Sequence, residues 1–405
     1  MKKVLFLTIV PPFPNDQGNR VYTLSIMNYI VSRGFDIDAI FQCGYDRKMM
    51  KEHFGEKVTV YNVKSDGYPT KEHYENRDKI KALLDDRLFM GYNEHIKKEI
   101  FYAANHFHPF EYIGDDMVMQ AKKLLKDNKY DYVVCNYIYT LRIVKDLKEL
   151  VGNSKIITFT YDAVSRLDIQ AYEYGIDTSY RACSPMIESE CLNYSDKVLA
   201  ISKSEYSYFK NIGVNNVLLC EYNAYDLLRD KKIKELNFNK KTILFAASGN
   251  PLNKIGLEYF LNRVWPGLYH MNSSINMIVC GTICDHFNLS YKNIEFKGRV
   301  NTKELDRLMS EATIAINPAF LGTGLKIKSV ESMCVGLPMV TFEEGVDGLQ
   351  EFDKKAFLIA DDWLDFGGKI LNLMSDKNLW LELHNGALEV SKNRFISQEV
   401  FGHVL

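Results

Sequence analysis

Short, continuous apolar runs separated by helical stretches constrain this chain more than anything else in it. In the first half the runs cover 4–10, 35–43, 58–63, 130–135, 155–160, 197–201 and 217–221; in the second, 242–247, 276–280, 294–296, 313–316, 338–342 and 356–359. Strands that are apolar on both faces, rather than alternating, belong in a parallel sheet covered on both sides. Helices between successive strands make right-handed βαβ units. The rhythm breaks at 226–241, a charged stretch without strand character, where we expect the interdomain connection. The expected fold is therefore α/β: two Rossmann-like halves at 1–225 and 226–387, with a helical tail at 388–405. A ligand is expected at the C-terminal ends of the strands. Residues 64–114 read as a mostly helical insertion in the first half, which either covers the sheet or binds an acceptor or a membrane.

Bulk properties exclude several classes. A chain of 405 residues allows two to three domains. Its net charge of −2 provides no basic footprint for nucleic acid. The eight cysteines are scattered, mostly in apolar runs, and Cys280 and Cys284 lack the second pair that zinc needs. No apolar run approaches the ~20 residues that cross a bilayer, and no signal peptide opens the chain, so the expectation is a reduced, cytoplasmic protein. Asp36-Ile-Asp38 has an Asp-x-Asp pattern that can hold metal, but it reads as two solvent-facing residues at the start of a strand. His106 and His108 read as packing or surface residues.

The stretch from Asn317 to Glu331, NPAFLGTGLKIKSVE, carries the chemistry. An apolar strand runs into a turn with glycines at 322 and 324 and then into a helix stopped at Gly336. Glycines let a backbone approach a ligand, and the first-turn amides of a helix point at an anion. Lys326 reads as a cation in that first turn, opposing the macrodipole unless a phosphate is near. Glu331 follows where a carboxylate can accept from sugar hydroxyls. The implied ligand is phosphorylated and rich in hydroxyls.

Several segments of the second half then occur in a recognisable order: ILFAASGNPLN at 243–253, Trp265-Pro266, IEFKGRV at 294–300, GTGLKIKSVE at 322–331, GLPMVT at 336–341 and GVDG at 345–348. The first half contributes a proline-rich opening, Gly18-Asn19-Arg20, Tyr161-Asp162 and SDKVLAIS at 195–202. This ordered set resembles the retaining, nucleotide-sugar-dependent glycosyltransferases of the GT-B fold, the large family numbered four (glycosyl transferases group 1). The resemblance implies a nucleoside-diphosphate sugar as donor, bound by the second half. It implies a glycan, lipid-linked sugar or protein as acceptor, bound by the first half, with no metal or other cofactor and a C-terminal tail that packs back on the first domain.

Residue roles follow from the resemblance. Glu331 matches the glutamate that holds the donor ribose; the alternative is an ion pair with Lys328. Where the family often has a second glutamate, eight residues earlier, this chain has Thr323, so backbone amides from Gly322 to Leu325 would serve instead. Lys326 is the candidate diphosphate cation and Lys254, after the Gly249 turn, a second; each is otherwise a solvated helix lysine. Gly298 and Arg299 lie where the family's base- and phosphate-contacting loop runs, and a surface arginine is the alternative. Gly18 would bring backbone close to donor phosphate or acceptor, or simply make a turn. Asp162 would contact the acceptor or the reacting sugar, or cap a helix, and Arg166 lies one turn further along. Tyr161 stands where the family often has a histidine, so no imidazole role carries over. Two other readings stay open. One is a non-catalytic GT-B partner subunit. The other is an oxidoreductase on Rossmann halves, disfavoured because no Gly-x-Gly-x-x-Gly follows either opening strand. Peripheral membrane contact would use Phe101, Tyr102, Phe107 and Phe110.

Overall fold

The computed structural model describes residues 2–15, 17–63, 108–166, 183–228, 238–287 and 290–405, with the isolated residues 79 and 82. Most of the expected insertion and of the charged connection lies outside these residues. The chain forms two compact units, Met1–Leu219 and Cys220–Leu405.

The first unit is built on a seven-stranded sheet in the order β3-β2-β1-β4-β5-β6-β7. Its strands are β1 (Lys3–Thr8), β2 (Asp36–Phe41), β3 (Val58–Asn62), β4 (Tyr132–Asn136), β5 (Lys155–Phe159), β6 (Lys197–Ala200) and β7 (Val217–Leu219). All pairings are parallel. The apolar runs are apolar on both faces because helices cover both faces: Val4, Leu5, Phe6 and Leu7 of β1 are all fully buried. The chain winds outward from β1 to β2 and β3, then returns to β4 on the other side. The boundary between β1 and β4 is thus the topological switch point, where a ligand crevice opens beyond the strand C-termini.

The second unit repeats the plan with six parallel strands in the order β10-β9-β8-β11-β12-β13. They are β8 (Thr242–Ala246), β9 (Asn276–Cys280), β10 (Ile294–Phe296), β11 (Ile314–Asn317), β12 (Met339–Thr341) and β13 (Leu358–Ile359). Its switch point lies between β8 and β11. Gly336 closes the helix Ile327–Val335 in the left-handed conformation (φ 76°). A Cβ there would also lie 2.6 Å from the His384 ring, so only glycine satisfies both backbone and packing. The long helix Lys377–Arg394 packs its buried Trp380 against β11, with the indole N–H donating to the Thr313 carbonyl at 2.7 Å. Beyond it the tail is tied to the start of the same unit. Arg394 grips the buried Glu221 carboxylate with two 2.7 Å bonds, and Ser397 binds Asp226 and Asn223.

Candidate functional site

The switch point of the second unit is a tightly fitted corner. After β8, the Gly249 amide donates to Thr282 Oγ1 at 2.8 Å, and a Cβ at 249 would lie 2.6 Å from His286 Nε2. Asn250 caps the helix Pro251–Arg263 by accepting from the Asn253 amide. A Cβ at Gly256 would lie 2.7 Å from the Pro318 carbonyl oxygen, so this glycine lets the helix come against the chain leaving β11. Asn253 then bridges the two loops: its Nδ2 donates to the Ser248 carbonyl at 2.9 Å, and its Oδ1 accepts from Lys328 Nζ at 2.5 Å.

From β11 the chain passes through Gly322 (φ 106°) and Gly324 (φ 75°), left-handed positions that favour glycine. Thr323, between them, is 3% exposed, and its hydroxyl has no hydrogen-bond partner. An unpaired buried hydroxyl costs roughly 1–3 kcal/mol. It sits just before a nine-residue helix, Ile327–Val335, that has no side-chain cap at its N-terminus. The loop is braced from behind by a buried polar network. Asn317 Nδ2 donates to Ser329 Oγ and the Gly345 carbonyl, Ser329 donates to the same carbonyl, and Thr341 Oγ1 donates to the Asn317 carbonyl.

Several side chains lie otherwise than the sequence suggested. Lys326 is the N-cap residue rather than part of the first turn, and its ammonium folds back on the carbonyls of Thr323 (2.6 Å) and Gly324 (3.0 Å). The amide of Gly324 donates to the buried Asp347 carboxylate at 3.0 Å. The cation inside the first turn is Lys328. Burial, and after it the neighbouring Lys326, lowers its pKa to about 7, and its ammonium lies over the Phe245 ring. The sequence reading considered Lys328 only as a partner for Glu331. Instead, Glu331 receives the hydroxyl of the buried Tyr222, whose own pKa burial and that carboxylate raise well above the ordinary value. Lys254 pairs with Glu258 at 3.8 Å and Arg299 with Asp285 at 3.7 Å, both in exposed positions. Gly298 (φ 69°) supplies the carbonyl that holds the Gly281 amide. Leu325 is buried. Glu344, half-buried in the loop after β12, has its pKa raised chiefly by burial, with Lys326 opposing and Asp347 adding to the rise.

At the switch point of the first unit, Gly18 begins the helix Gly18–Ser32. Behind it, Thr8, Thr23, Asn136 and Tyr161 form a closed buried network. The Tyr161 hydroxyl contacts Thr23 Oγ1 and Asn136 Oδ1, each at 2.7 Å, while Asn136 Nδ2 reaches Thr8 (2.8 Å) and Thr23 (3.0 Å). The amides of Val164 and Ser165, which an Asp162 cap would take, donate to Glu188 from the helix Pro185–Leu192. Glu188 is buried, and burial pushes its pKa up to about 7 against the lowering effect of those donors. Asp162 and Arg166 are half-buried on either side of this turn.

Asp38 does not face solvent: it is 3% exposed, accepts from the Tyr130 hydroxyl at 2.6 Å and pairs with Lys3 at 2.6 Å, while Asp36 pairs with Lys57. The eight cysteines are free thiols. Among the described residues no three His, Cys, Asp or Glu side chains gather to hold a metal, and no helix is long and apolar enough to cross a membrane. His108 accepts from the Phe110 amide and touches Cys191. Phe110 is buried and so is not a membrane-facing ring. Phe101, Tyr102, His106 and Phe107 lie outside the described residues.

Two Rossmann-like parallel-sheet units of this kind define the GT-B fold, and known structures agree. The chain resembles sucrose-phosphate synthase from Thermosynechococcus elongatus (13% identity, 99% of this chain and 96% of that one, TM-score 0.63). It also resembles HepE of Anabaena in complex with UDP-glucose (12%, 99% and 98%, TM-score 0.63). A variant of S. aureus TarM, in complex with Fondaparinux, α-GlcNAc-glycerol and UDP, is a third (12%, 99% and 98%, TM-score 0.66). Residues 240–376, within the second unit, match the family model Glycosyl transferases group 1. Along its whole length the chain is also similar, at 22% identity over 425 aligned residues and 99% of the relative, to an uncharacterized 44.6 kDa protein in the cps region of Klebsiella pneumoniae.

Proposed function

We propose that this chain is a retaining glycosyltransferase that moves a hexose-type sugar from a nucleoside-diphosphate sugar to an acceptor hydroxyl without a metal. The observation that carries the reading is the buried Thr323 hydroxyl, unpartnered beside an uncapped helix start, with Lys328 in the first turn of that helix. A diphosphate oxygen would take the orphan proton together with the first-turn amides of Ile327 and Lys328. Negative charge grows on the leaving diphosphate as the glycosidic bond breaks, so cations fixed there stabilise the transition state more than the ground state. Glu331, oriented by Tyr222, keeps acceptor capacity for the ribose hydroxyls. Glu344, within electrostatic reach of Lys326 and Asp347, would be a further carboxyl near this corner. In this reading the donor's own phosphate oxygen assists removal of the acceptor proton, and the protein contributes positioning and electrostatics.

The bound UDP-glucose of HepE and the UDP and α-GlcNAc-glycerol of TarM support a uridine nucleotide as the first donor to try and a glycan as acceptor. The Klebsiella relative's place in a cps region supports polysaccharide assembly. We assign the work to the cytoplasm, with membrane association where the acceptor is lipid-linked. Calorimetric titration with UDP, GDP and NAD tests the donor site. Binding of a nucleoside diphosphate, weakened in Lys328→Ala, is the expected result; NAD binding alone would overturn it. Mass spectrometry with a donor panel then reads transfer. The threonine at 323 favours one competing reading, a non-catalytic partner subunit, which would bind nucleotide or acceptor yet transfer sugar only when a second transferase is added.

A further inference from the structure

Tyr137, the first residue after β4, has φ 86° and ψ 147°. That region of backbone space is open essentially to glycine alone, and a bulky residue persists there only where its surroundings hold it, most often at a ligand site. Its position is the β1–β4 switch point of the first sheet. The amide continues the ladder to the Phe159 carbonyl at 3.0 Å, so the backbone is fixed on that side. The ring stacks on Tyr161 (centroids 4.2 Å apart, planes 6° apart) and, more loosely, on Tyr139 (5.9 Å, 19°), which in turn stacks on Tyr112 (4.4 Å, 25°). Tyr161 is anchored by Thr23 and Asn136, so the row has a rigid base. Tyr139 and Tyr161 are buried, whereas Tyr112 and Tyr137 keep part of their surface open.

A half-open tyrosine gains less from burial than its buried neighbours, yet it is the one that bears the unfavourable backbone. We propose that Tyr137, with the tyrosines stacked beside it, forms a saccharide-binding edge that takes the ring of the acceptor sugar. A hexose offers apolar C–H groups and a rim of hydroxyls, which suit the edge of a stacked aromatic row with phenols at its tips. The proposal rests on the glycosyltransferase reading for the word acceptor, but its test does not depend on the donor.

The test is saturation-transfer NMR of the full chain with methyl hexopyranosides, maltose and cellobiose, alongside UDP calorimetry. At least one sugar is expected to bind the wild type. Tyr137→Ala and Tyr137→Gly should each weaken that binding tenfold or more, while Tyr137→Phe, which keeps the ring, should stay within about threefold. UDP affinity should stay within twofold throughout, since Tyr137 lies in the other unit. The glycine variant should also melt several degrees above the alanine variant, because it releases the backbone that alanine leaves constrained. Should the alanine variant fail to fold, the glycine variant decides. The proposal is overturned if no sugar of the panel binds the wild type, or if Tyr137→Gly binds as the wild type does. Absence of UDP binding would instead count against the donor reading.

Discussion

The two switch points occupy the same place in two similar sheets and are built from opposite materials. Between β8 and β11 the connecting loops carry glycine at 249, 322 and 324, with a lysine in the helix that follows. Between β1 and β4 the residue with a glycine-like backbone is a tyrosine, and the polar atoms behind it are closed into their own network. Glycine turns bring amides and cations to a surface, which suits phosphate. An aromatic held at the same point offers area and a hydroxyl, which suits a neutral ring. One fold plan thus yields an electrostatic corner and a steric one.

The largest expected effect tests whether the steric corner stands independently of charge. Glu188 braces the turn that carries Asp162, and its pKa is raised from 4.5 to about 7. A folded-state value above the unfolded one means that the folded state holds the proton longer. The stability contributed by this group is therefore fully present below pH 4.5, is lost as pH rises through about 7 and is flat above, with a total of about 3 kcal/mol. Denaturant melts between pH 4.5 and 8 should show this slope in wild type, and Glu188→Gln should flatten it. An unchanged slope in the glutamine variant would assign the titration elsewhere.

Activity should respond most to the electrostatic corner. Lys328→Ala is expected to lower transfer about 100-fold, ~2.7 kcal/mol, and Glu331→Ala about tenfold, ~1.4 kcal/mol, both with unchanged far-UV spectra. Lys326→Ala should also cost about tenfold, through a looser Thr323–Gly324 turn as well as through lost charge, since its ammonium is spent partly on that turn's carbonyls. Wild-type turnover in the Lys328 and Glu331 variants would erase the distinction between the corners.

How far each corner could be read in advance follows from the range of the interactions. The strands were legible because each is a local apolar run, and every expected run carries a strand. Gly336 was legible because a helix stop is local too. The glycines of 322–324 marked a turn by themselves. Lys326 was misplaced by one step because the helix start is set by which amide first finds a carbonyl, and residue type alone does not fix that. The roles of Asp347 on Gly324, Tyr222 on Glu331 and Glu188 on Ser165 depend on partners 23 or more residues away. No local pattern announces them. Tyr137 is the extreme case: Asn136-Tyr137-Ile138 has neither glycine nor proline, and only the sheet and the Tyr161 ring reveal the backbone it adopts.

The smallest effect is also the sharpest test of the electrostatic corner. Lys328 has its pKa lowered from 10.5 to about 7, chiefly by burial. Lowering means that the folded state sheds this proton before the unfolded state does, so part of the population is neutral above pH 7. A bound diphosphate would stabilise the ammonium and pull the pKa back up. UDP binding should then take up a fraction of a proton at pH 7.5 to 8.5. It should weaken with rising pH by at most about tenfold per unit, ~1.4 kcal/mol. Calorimetry in two buffers of different ionisation enthalpy measures the uptake directly, and Lys328→Met should abolish it. Equal heats in both buffers for the wild type would show that Lys328 does not change its charge state when UDP binds, and would overturn the proposed coupling between its proton and the diphosphate.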